Sequence, residues 1–239
     1  MSLAIVTGAS TGIGRAVAVA LGGLGYDVVL VGRNASELEE TKRLALEAGG
    51  VVEVRLVDLA NRANLDEFLK YMRGKDEVDV LVNVAGVWHN ETEAYAGIDF
   101  EKFDENVIRE TYEVGIIAPT VLAHSLIPKM QNGGDIVNIS GTFSDGAKGW
   151  LPYYVSKRAL EDLTVGLSDE LTNRRVKVNA VSPSDVATEA YERFFPEYIA
   201  DAVGPEEIAE AVIELIRGND TGKIIVVKKG VKSYEGFHE

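Results

Sequence analysis

Short apolar runs alternate with amphipathic segments along the chain, and this alternation constrains the fold more than any other feature. The runs are nearly continuous in Val, Ile and Leu, as expected of strands buried on both faces of a parallel sheet. Seven strands are predicted, at Leu3–Thr7, Asp27–Val31, Val51–Val57, Val78–Asn83, Asp135–Ser140, Lys177–Ser182 and Lys223–Val227. Helices are predicted between them, at Ile13–Leu24, Ser36–Ala48, Leu65–Arg73, Phe103–Met130, Tyr153–Asn173 and Pro205–Arg217. Such alternation predicts an α/β fold with a doubly wound parallel sheet of about seven strands.

The chain shows no linker, repeat or low-complexity tract, and its 239 residues suit a single domain over 1–239. Two segments lack clear periodicity, Val87–Lys102 and Glu189–Val203. Each follows a strand at its carboxyl end, which is where ligands bind in open sheets. We therefore expect both segments to border a ligand site.

Composition limits the classes of partner. The chain is 46% hydrophobic and 26% charged, as in proteins with a substantial core. Its net charge of −14 repels nucleic-acid phosphates and anionic lipid, so neither is an expected partner. There is no cysteine for disulfides or thiolate chemistry, and no metal ion is expected because the three histidines lack metal-ligand spacing. Neither a signal peptide nor a run of about 18 apolar residues is visible, so the expected location is the cytoplasm.

A glycine-rich loop directly follows the first predicted strand and opens the first predicted helix. It reads Thr7-Gly8-Ala9-Ser10-Thr11-Gly12-Ile13-Gly14. Glycines there let the backbone approach a pyrophosphate, which then lies at the positive end of the helix. A turn without a ligand is the alternative, but the strand–turn–helix context indicates a dinucleotide site in a Rossmann-like fold. The residues expected at the cofactor are Gly8, Ser10, Thr11, Gly12, Ile13 and Gly14.

The end of the second predicted strand indicates which dinucleotide is bound. It reads Val31-Gly32-Arg33-Asn34. Sites for NAD usually place an acidic side chain near this point to bind the ribose hydroxyls, whereas an arginine suits the 2′-phosphate of NADP. Gly32 supplies no acid and Arg33 supplies a cation. NADP is therefore expected over NAD, and the alternative is that Arg33 is a solvated surface residue.

Three further motifs follow in order: Asn83-Val84-Ala85-Gly86 after the fourth strand, the Y-x-x-x-K of Tyr153 and Lys157, and Asn179-Ala180-Val181-Ser182-Pro183 leading to Thr188. With the TGxxxGxG spacing of the loop, this set resembles the short-chain dehydrogenase/reductase family over nearly the whole chain. The resemblance implies an NAD(P)-dependent oxidoreductase acting on a carbonyl or alcohol. It also implies a homodimer or homotetramer built around the helices of Gly115 and Tyr153. Further cofactor contacts are implied for Asp58, Leu59, Asn83, Ala85, Gly86, Tyr153, Lys157, Pro183, Val186 and Thr188.

Tyr153 and Lys157 are the expected acid–base pair. Four residues apart on a helix, their side chains share one face. A phenol with a pKa near ~10 is a poor base, and a neighbouring ammonium is expected to lower that pKa. Tyr153 would then protonate the alkoxide formed by hydride addition, or remove the proton in oxidation. A surface contact is the alternative for a lone Tyr–Lys pair, but the dinucleotide context favours catalysis.

A catalytic hydroxyl is also expected, because the family uses a serine about a dozen residues before the tyrosine to bind the substrate oxygen. Ser140 lies 13 residues before Tyr153. Matching the strand register instead puts the usual serine at Gly141. Either the loop has lost one residue and Ser140 takes the role, or Thr142 or Ser144 substitutes for it. Of these, Ser140 is the candidate.

Gly115 is a second departure from the family, which carries there an asparagine that helps hold a proton-relay water. The relay is either kept through backbone and water or impaired, and the sequence does not decide between these. The departures motivate a rival hypothesis, a non-catalytic dinucleotide-binding sensor or scaffold, against which Tyr153 and Lys157 argue. A sugar-nucleotide epimerase would need a larger C-terminal domain than the 51 residues after Thr188.

Aromatic residues crowd the segment that resembles the family's short substrate lid, near 189–203. They either line an apolar pocket or pack locally, and Trp150 and Tyr154 beside Tyr153 leave the same alternatives. The sequence-based hypothesis is an NADP-preferring reductase of a small or medium carbonyl compound, whose identity the sequence leaves open. The aromatic residues of the lid segment are Tyr191, Phe194, Phe195 and Tyr198.

Overall fold

A mostly parallel sheet lies between two layers of helices. The computed structural model describes residues 2–144 and 146–239. Within them the strands are β1 (Leu3–Thr7), β2 (Asp27–Gly32), β3 (Val51–Leu56), β4 (Val80–Asn83), β5 (Gly134–Ile139), β6 (Val176–Pro183), β7 (Ile224–Val227) and β8 (Tyr234–Glu235). The helices are α1 (Gly12–Gly23), α2 (Ala35–Glu47), α3 (Arg62–Arg73), α4 (Glu105–Tyr112), α5 (Ala118–Leu126), α6 (Leu151–Glu170), α7 (Glu189–Phe194) and α8 (Pro205–Arg217). The predicted α/β doubly wound class is confirmed.

The order of the strands creates a crevice at the centre of the sheet. That order is β3-β2-β1-β4-β5-β6-β7-β8, and the pairings are parallel except for antiparallel β8. In the register of β1 and β4, Thr7 lies opposite Asn83. The chain leaves β1 and β4 toward opposite sides of the sheet, which opens a crevice beyond their carboxyl ends. The glycine loop after β1 and the Asn83–Gly86 segment after β4 therefore meet there.

Two apolar layers cover the faces of the sheet. Successive strand residues point to opposite faces, so Ala4 and Val6 belong to the layer under α1 and α8, together with Leu21 and Ile208. Ile5 belongs to the other layer, under α3 and α5. Because both faces are covered, ligand access is confined to the edge where the strands end.

A capping side chain explains why α3 begins earlier than predicted. The helix begins at Arg62 rather than at Leu65. The Asn61 side chain accepts hydrogen bonds from Ala63 N at 3.0 Å and from Asn64 N at 3.2 Å. These bonds satisfy N–H groups that the first helical turn leaves without partners.

The stretch predicted as one helix over Phe103–Met130 is interrupted. A π-helical turn over Glu113–Ile117 joins α4 to α5, and a short 3₁₀ turn follows α5. Gly115 lies in the π-helical turn against α6, where an added Cβ would be 2.8 Å from Ser156 Cβ and 3.0 Å from Ser156 Oγ. Glycine thus permits this close approach. An asparagine at position 115 would require α6 to shift, so the missing family side chain has no room here.

One short strand and one short α-helix were not predicted. Strand β8 has two residues, and α7 has six. Elements this short present too few residues for a periodic pattern. The local signal for α7 is its cap, because Thr188 Oγ1 accepts a hydrogen bond from Tyr191 N at 3.2 Å.

Candidate active site

The loop after β1 forms a cradle for an anion. Gly8 and Gly12 have φ angles of +65° and +52°, in the left-handed region that favours glycine. Thr11 precedes α1 without capping it through its side chain, so it leaves the N–H groups at the positive end of the helix available to an anion. An added Cβ on Gly12 would lie 2.7 Å from Thr188 Cγ2, which shows how closely the loop meets the segment after β6. This geometry fits the pyrophosphate of a dinucleotide.

Thr7 joins this loop to the segment after β4. Its Oγ1 accepts hydrogen bonds from Val84 N at 3.1 Å and from Ala85 N at 3.3 Å. An added Cβ on Gly8 would lie 2.9 Å from Ala85 Cα. The two backbone segments are therefore in contact across the crevice.

Tyr153 and Lys157 meet Gly86 at the same edge of the sheet. Lys157 Nζ lies 5.4 Å from the centroid of the Tyr153 ring. An added Cβ on Gly86 would lie 3.4 Å from Lys157 Nζ and 3.6 Å from Tyr153 Cε2. Lys157 is 2% exposed, and its Nζ donates a hydrogen bond to Ile139 O at 2.7 Å. The predicted acid–base pair and the predicted cofactor loop therefore form one site.

Burial controls the protonation of both side chains. It raises the pKa of the Tyr153 phenol, and the Asp185 carboxylate raises that pKa further. Burial lowers the pKa of the Lys157 ammonium to about 8. The expected lowering of the tyrosine pKa is wrong for the protein alone, because loss of solvent around the phenol outweighs the neighbouring ammonium. The phenol is therefore protonated at neutral pH, as a proton donor must be.

Ser140 points into the core rather than toward the phenol. It is 2% exposed, and its Oγ donates to Glu161 Oε1 at 2.8 Å. Glu161 is fully buried on α6 and also accepts from Ser182 Oγ at 3.2 Å and from His238 N at 2.7 Å. In this arrangement the Ser140 hydroxyl donates its hydrogen bond to a carboxylate in the core. Binding a substrate oxygen would require the side chain to rotate, so that role stays a prediction.

Asn83 links β4 to β5 and α6. Its Nδ2 donates to Asn138 Oδ1 at 2.9 Å, and Asn138 Nδ2 donates to Thr164 Oγ1 at 2.9 Å. Asn83 Oδ1 is buried with no hydrogen-bond partner among the described residues. The network holds the end of β4, from which Ala85 and Gly86 continue toward Tyr153 and Lys157. A direct contact between the Asn83 side chain and a cofactor stays a prediction.

Two arginines near the glycine loop have acidic partners. Arg33 Nη1 donates to Glu110 Oε1 at 2.7 Å, and the Arg33 side chain is 59% exposed. Arg15 Nη2 donates to Glu37 Oε2 at 2.5 Å and to Ser10 O at 2.8 Å. A 2′-phosphate would therefore compete with Glu110 for Arg33.

The remaining predicted cofactor residues follow strands at the same edge of the sheet. Asp58 is half-buried after β3, and the next residue, Leu59, is buried. Pro183 ends β6, Val186 is buried, and Thr188 caps α7. The side chains of Leu59 and Val186 are packed in the protein, so a cofactor contact from either would come through its backbone. All five contacts stay predictions.

Half-buried rings form a wall beside Tyr153, hereafter the aromatic wall, made of Trp88, Phe143, Trp150 and Phe195. The ring centroids of Phe143 and Trp150 lie 6.0 Å and 6.3 Å from that of Tyr153. Phe195 lies 5.9 Å from Trp150 and 6.2 Å from Trp88. The segment near 189–203 thus contacts the crevice through Phe195, as a substrate lid would.

The other aromatic residues of that segment have different surroundings. Phe194 contacts Trp88 at 6.1 Å, and Tyr191 contacts Phe195 at 5.3 Å. Tyr198 is 54% exposed. The sequence left open whether these rings line a pocket or pack locally. Phe194 and Tyr191 pack against the aromatic wall, whereas Tyr198 faces solvent.

Several residues of the site were not predicted. Trp88 and Phe143 lie shortly after β4 and β5. Their positions just beyond the carboxyl ends of these strands could have indicated that they border the site. Glu161 lies four residues after Lys157 on α6, as Lys157 lies four residues after Tyr153. The same helical spacing therefore places all three side chains on one face of the helix. Nothing local marks Asp185, whose influence on the phenol depends on the folded loop.

Comparison with known proteins identifies relatives along most of the chain. A family model described as short chain dehydrogenase matches residues 2–198. An uncharacterized oxidoreductase of Staphylococcus saprophyticus subsp. saprophyticus is 33% identical over 196 residues, covering 78% of this chain and 79% of that protein. The gluconate 5-dehydrogenase of Gluconobacter oxydans is 31% identical over 194 residues, covering 80% of this chain and 73% of that protein. The solved structure of the L-sorbose reductase from Gluconobacter frateurii, complexed with NADPH and L-sorbose, has a TM-score of 0.82 at 26% identity and covers 96% of this chain and 95% of its own.

In the part of the chain that the structure describes, no helix combines the length and apolarity needed to cross a membrane.

The buried ammonium leads to a prediction about stability and pH. The folded pKa of Lys157, about 8, lies below the ordinary value of 10.5, so the folded state carries the cost of the buried charge below pH 8. Between these two values the unfolded state binds more protons, and stability rises with pH. Lys157→Met should therefore be more stable than the parent at pH 7 by about 2–3 kcal/mol. Urea unfolding should show this advantage shrinking between pH 8 and 10.5.

The control for this measurement is Lys70→Met, because Lys70 is exposed in the last turn of α3. Its effect on the free energy of unfolding should not change over the same pH range. A constant difference between Lys157→Met and the parent would show that the buried ammonium does not carry the cost assigned to it.

The Ser140 geometry leads to a second prediction. Ser140→Ala removes one hydrogen bond to the buried Glu161 and should lower the free energy of unfolding by about 1.5–3 kcal/mol. Ser182→Ala is the matched control, because Ser182 Oγ donates to the same carboxylate oxygen. If the Ser140 hydroxyl acts only within the core, both variants should lose similar stability and keep most of the parent's oxidoreductase activity. A loss of about 100-fold in kcat for Ser140→Ala alone, with little loss of stability, would instead assign Ser140 to the substrate oxygen.

Proposed function

Since the chain belongs to the short-chain dehydrogenase/reductase family and is therefore an NAD(P)-dependent oxidoreductase, we propose that it interconverts a small or medium carbonyl compound and its alcohol, prefers NADP, and uses Tyr153 as its general acid and base. One observation carries the proposal. Tyr153, Lys157 and Gly86 are in contact at the edge where the loop after β1 fits a pyrophosphate. The loop that fits a phosphate and the proton donor Tyr153 therefore face the same crevice.

The chain's own residues move the proton. The nicotinamide of a bound cofactor supplies the hydride that adds to the carbonyl carbon. Tyr153 donates its phenol proton to the carbonyl oxygen, which becomes the alcohol. The raised pKa of the Tyr153 phenol keeps this proton in place at neutral pH until the carbonyl oxygen accepts it. Lys157, anchored on Ile139 O, keeps a positive charge beside the phenolate that results.

The preference for NADP is supported by the end of β2. Gly32 leaves no acidic side chain for the ribose, and the exposed Arg33 can exchange Glu110 for a 2′-phosphate. The related L-sorbose reductase is complexed with NADPH. We assign Arg33 to the 2′-phosphate, with the glycine loop and the segments after β3, β4 and β6 holding the rest of the cofactor.

The proposed assembly is a homodimer or homotetramer built around the α4–α5 segment that bears Gly115 and around α6, which bears Tyr153. Ile117, which ends the π-helical turn before α5, is 43% exposed, and Val155 on α6 is 36% exposed. Large apolar side chains exposed on neighbouring helices are typical of surfaces that bury against a partner.

Replacing the phenol tests the proton donor. Tyr153→Phe should lower kcat/KM for reduction by about 10²–10⁴-fold, because the carbonyl oxygen loses its acid, while NADPH binding stays within a few-fold of the parent. Tyr154→Phe is the matched control and should retain the parent rate. The measurements are NADPH oxidation with ketones, aldehydes and sugars, and calorimetric NADPH binding. Tight NADPH binding without turnover of any compound by the parent enzyme would favour a non-catalytic sensor.

Replacing the arginine tests the cofactor preference. Arg33→Ala should weaken NADPH binding by about 1.5–3 kcal/mol and leave NADH binding nearly unchanged, because only NADPH carries the 2′-phosphate. Glu110→Gln should do the opposite and tighten NADPH, since it frees Arg33 from its ion pair. Equal losses for both cofactors in Arg33→Ala would contradict the assignment.

A further inference from the structure

The aromatic wall determines what kind of surface a substrate meets beside Tyr153. Its rings come from three separate loops, yet they form a continuous series from Phe143 through Tyr153, Trp150 and Phe195 to Trp88. The planes of Trp88 and Phe195 differ by 30°, so these two rings are stacked. The rings are half-buried, and each keeps part of its apolar surface uncovered. Such a wall offers stacking and burial but few hydrogen-bond partners.

Two segments that border the crevice are strongly acidic. Residues 89–105 and 185–201, here called the acidic mouth, contain eleven acidic and two basic side chains. These two segments have a formal net charge of −9 in a chain of −14, although Glu189 and Glu105 also pair with arginines outside them. They meet at His89 and Phe194, whose rings are 5.4 Å apart. Clustered charge of one sign at an entrance repels ligands of the same sign.

One acidic residue of the mouth also acts at the site itself. Asp185 follows β6, and its carboxylate affects the titration of both Tyr153 and Tyr191. A negative group on a substrate bound at Tyr153 would be subject to the same repulsion from Asp185 that acts on the phenolate.

From these observations we infer that the substrate is a ketone, or the corresponding alcohol, that carries a planar aromatic ring and no anionic group. The inference rests on the proposed function and names the substrate class of the same site. A polyol or sugar acid placed against the aromatic wall would lose hydrogen bonds to water without replacing them. A sugar acid would also be repelled by the acidic mouth. A flat, uncharged ring gains stacking and burial and meets neither cost.

The substrate class is tested with ketones of matched size. The set contains an aryl methyl ketone, the same ketone with a carboxylate on the ring, and an open-chain ketose such as L-sorbose, each with NADPH. The neutral aryl ketone should have a kcat/KM at least about tenfold above both others, the factor expected from one ring-sized apolar contact or one repelled charge. The deficit of the carboxylated ketone should shrink at high salt, because screening weakens the repulsion. The deficit of the carboxylated ketone should also shrink in Asp185→Asn, because this variant removes one of the repelling carboxylates.

Two variants separate the aromatic wall from the rest of the lid. Phe195→Ala should raise KM for the aryl ketone by about tenfold while leaving KM for a small aliphatic ketone nearly unchanged, because only the aryl ketone contacts the ring. Tyr198→Ala is the matched control, since this exposed tyrosine lies three residues further along the same segment. It should leave both KM values at the parent level.

A binding measurement keeps the inference testable without turnover. The chain has two tryptophans, Trp88 and Trp150, and both belong to the aromatic wall. Adding the neutral aryl ketone to the inactive Tyr153→Phe variant should therefore change the tryptophan fluorescence, and the carboxylated ketone should do so only at higher concentration. Fluorescence changes without reduction of any ketone by the parent enzyme would overturn the proposed function but uphold the ligand class. Faster reduction of the ketose or the carboxylated ketone would uphold the function and overturn this inference.

Discussion

The buried ammonium of Lys157 is the interaction on which the rest of the site depends. It touches three elements at once, because it donates to Ile139 O at the end of β5, lies against Gly86 after β4 and neighbours Tyr153 on α6. Removing this charge from water costs free energy, which its single carbonyl partner offsets only in part. Burial accordingly lowers the pKa of Lys157 to about 8. The chain thus gives up stability at one position to hold a cation beside a phenol that must tolerate losing its proton.

Local patterns in the sequence predict what lies close together along the chain, and they miss what tertiary packing creates. Seven strands and the glycine loop follow from apolar runs and a strand–turn–helix context, and the Tyr153–Lys157 pair follows from a spacing of one helical turn. The partner of Ser140 does not follow, because Glu161 stands 21 residues away on a different element. The contact between Gly115 and Ser156 also depends on how two helices cross, so the effect of losing the family asparagine becomes visible only in the fold.

The same limit explains why the predicted lowering of the Tyr153 pKa is wrong for the protein alone. Spacing along a helix brings an ammonium near the phenol, and that effect alone lowers the pKa. The loops that exclude water from Tyr153 and bring Asp185 toward it come from distant parts of the chain, and their effect has the opposite sign. A protonated phenol in the free protein is consistent with a reductase. In the oxidative direction the base is the phenolate, so the positive charge of Lys157 has to overcome both burial and Asp185 before Tyr153 loses its proton and can accept one from the alcohol.

Substrate choice depends on the loops beyond the carboxyl ends of the strands, which the fold positions without fixing their side chains. Relatives at 26–33% identity share the sheet and the nucleotide edge, and those named include enzymes of gluconate and L-sorbose. Their substrates do not carry over, because the rings beside Tyr153 come from segments that the sheet positions but does not specify. Four apolar rings and a concentration of carboxylates disfavour a polyanionic or polyhydroxylated ligand on physical grounds. The cofactor half of the crevice therefore reflects the family, whereas the substrate half reflects the aromatic and acidic residues of this particular chain.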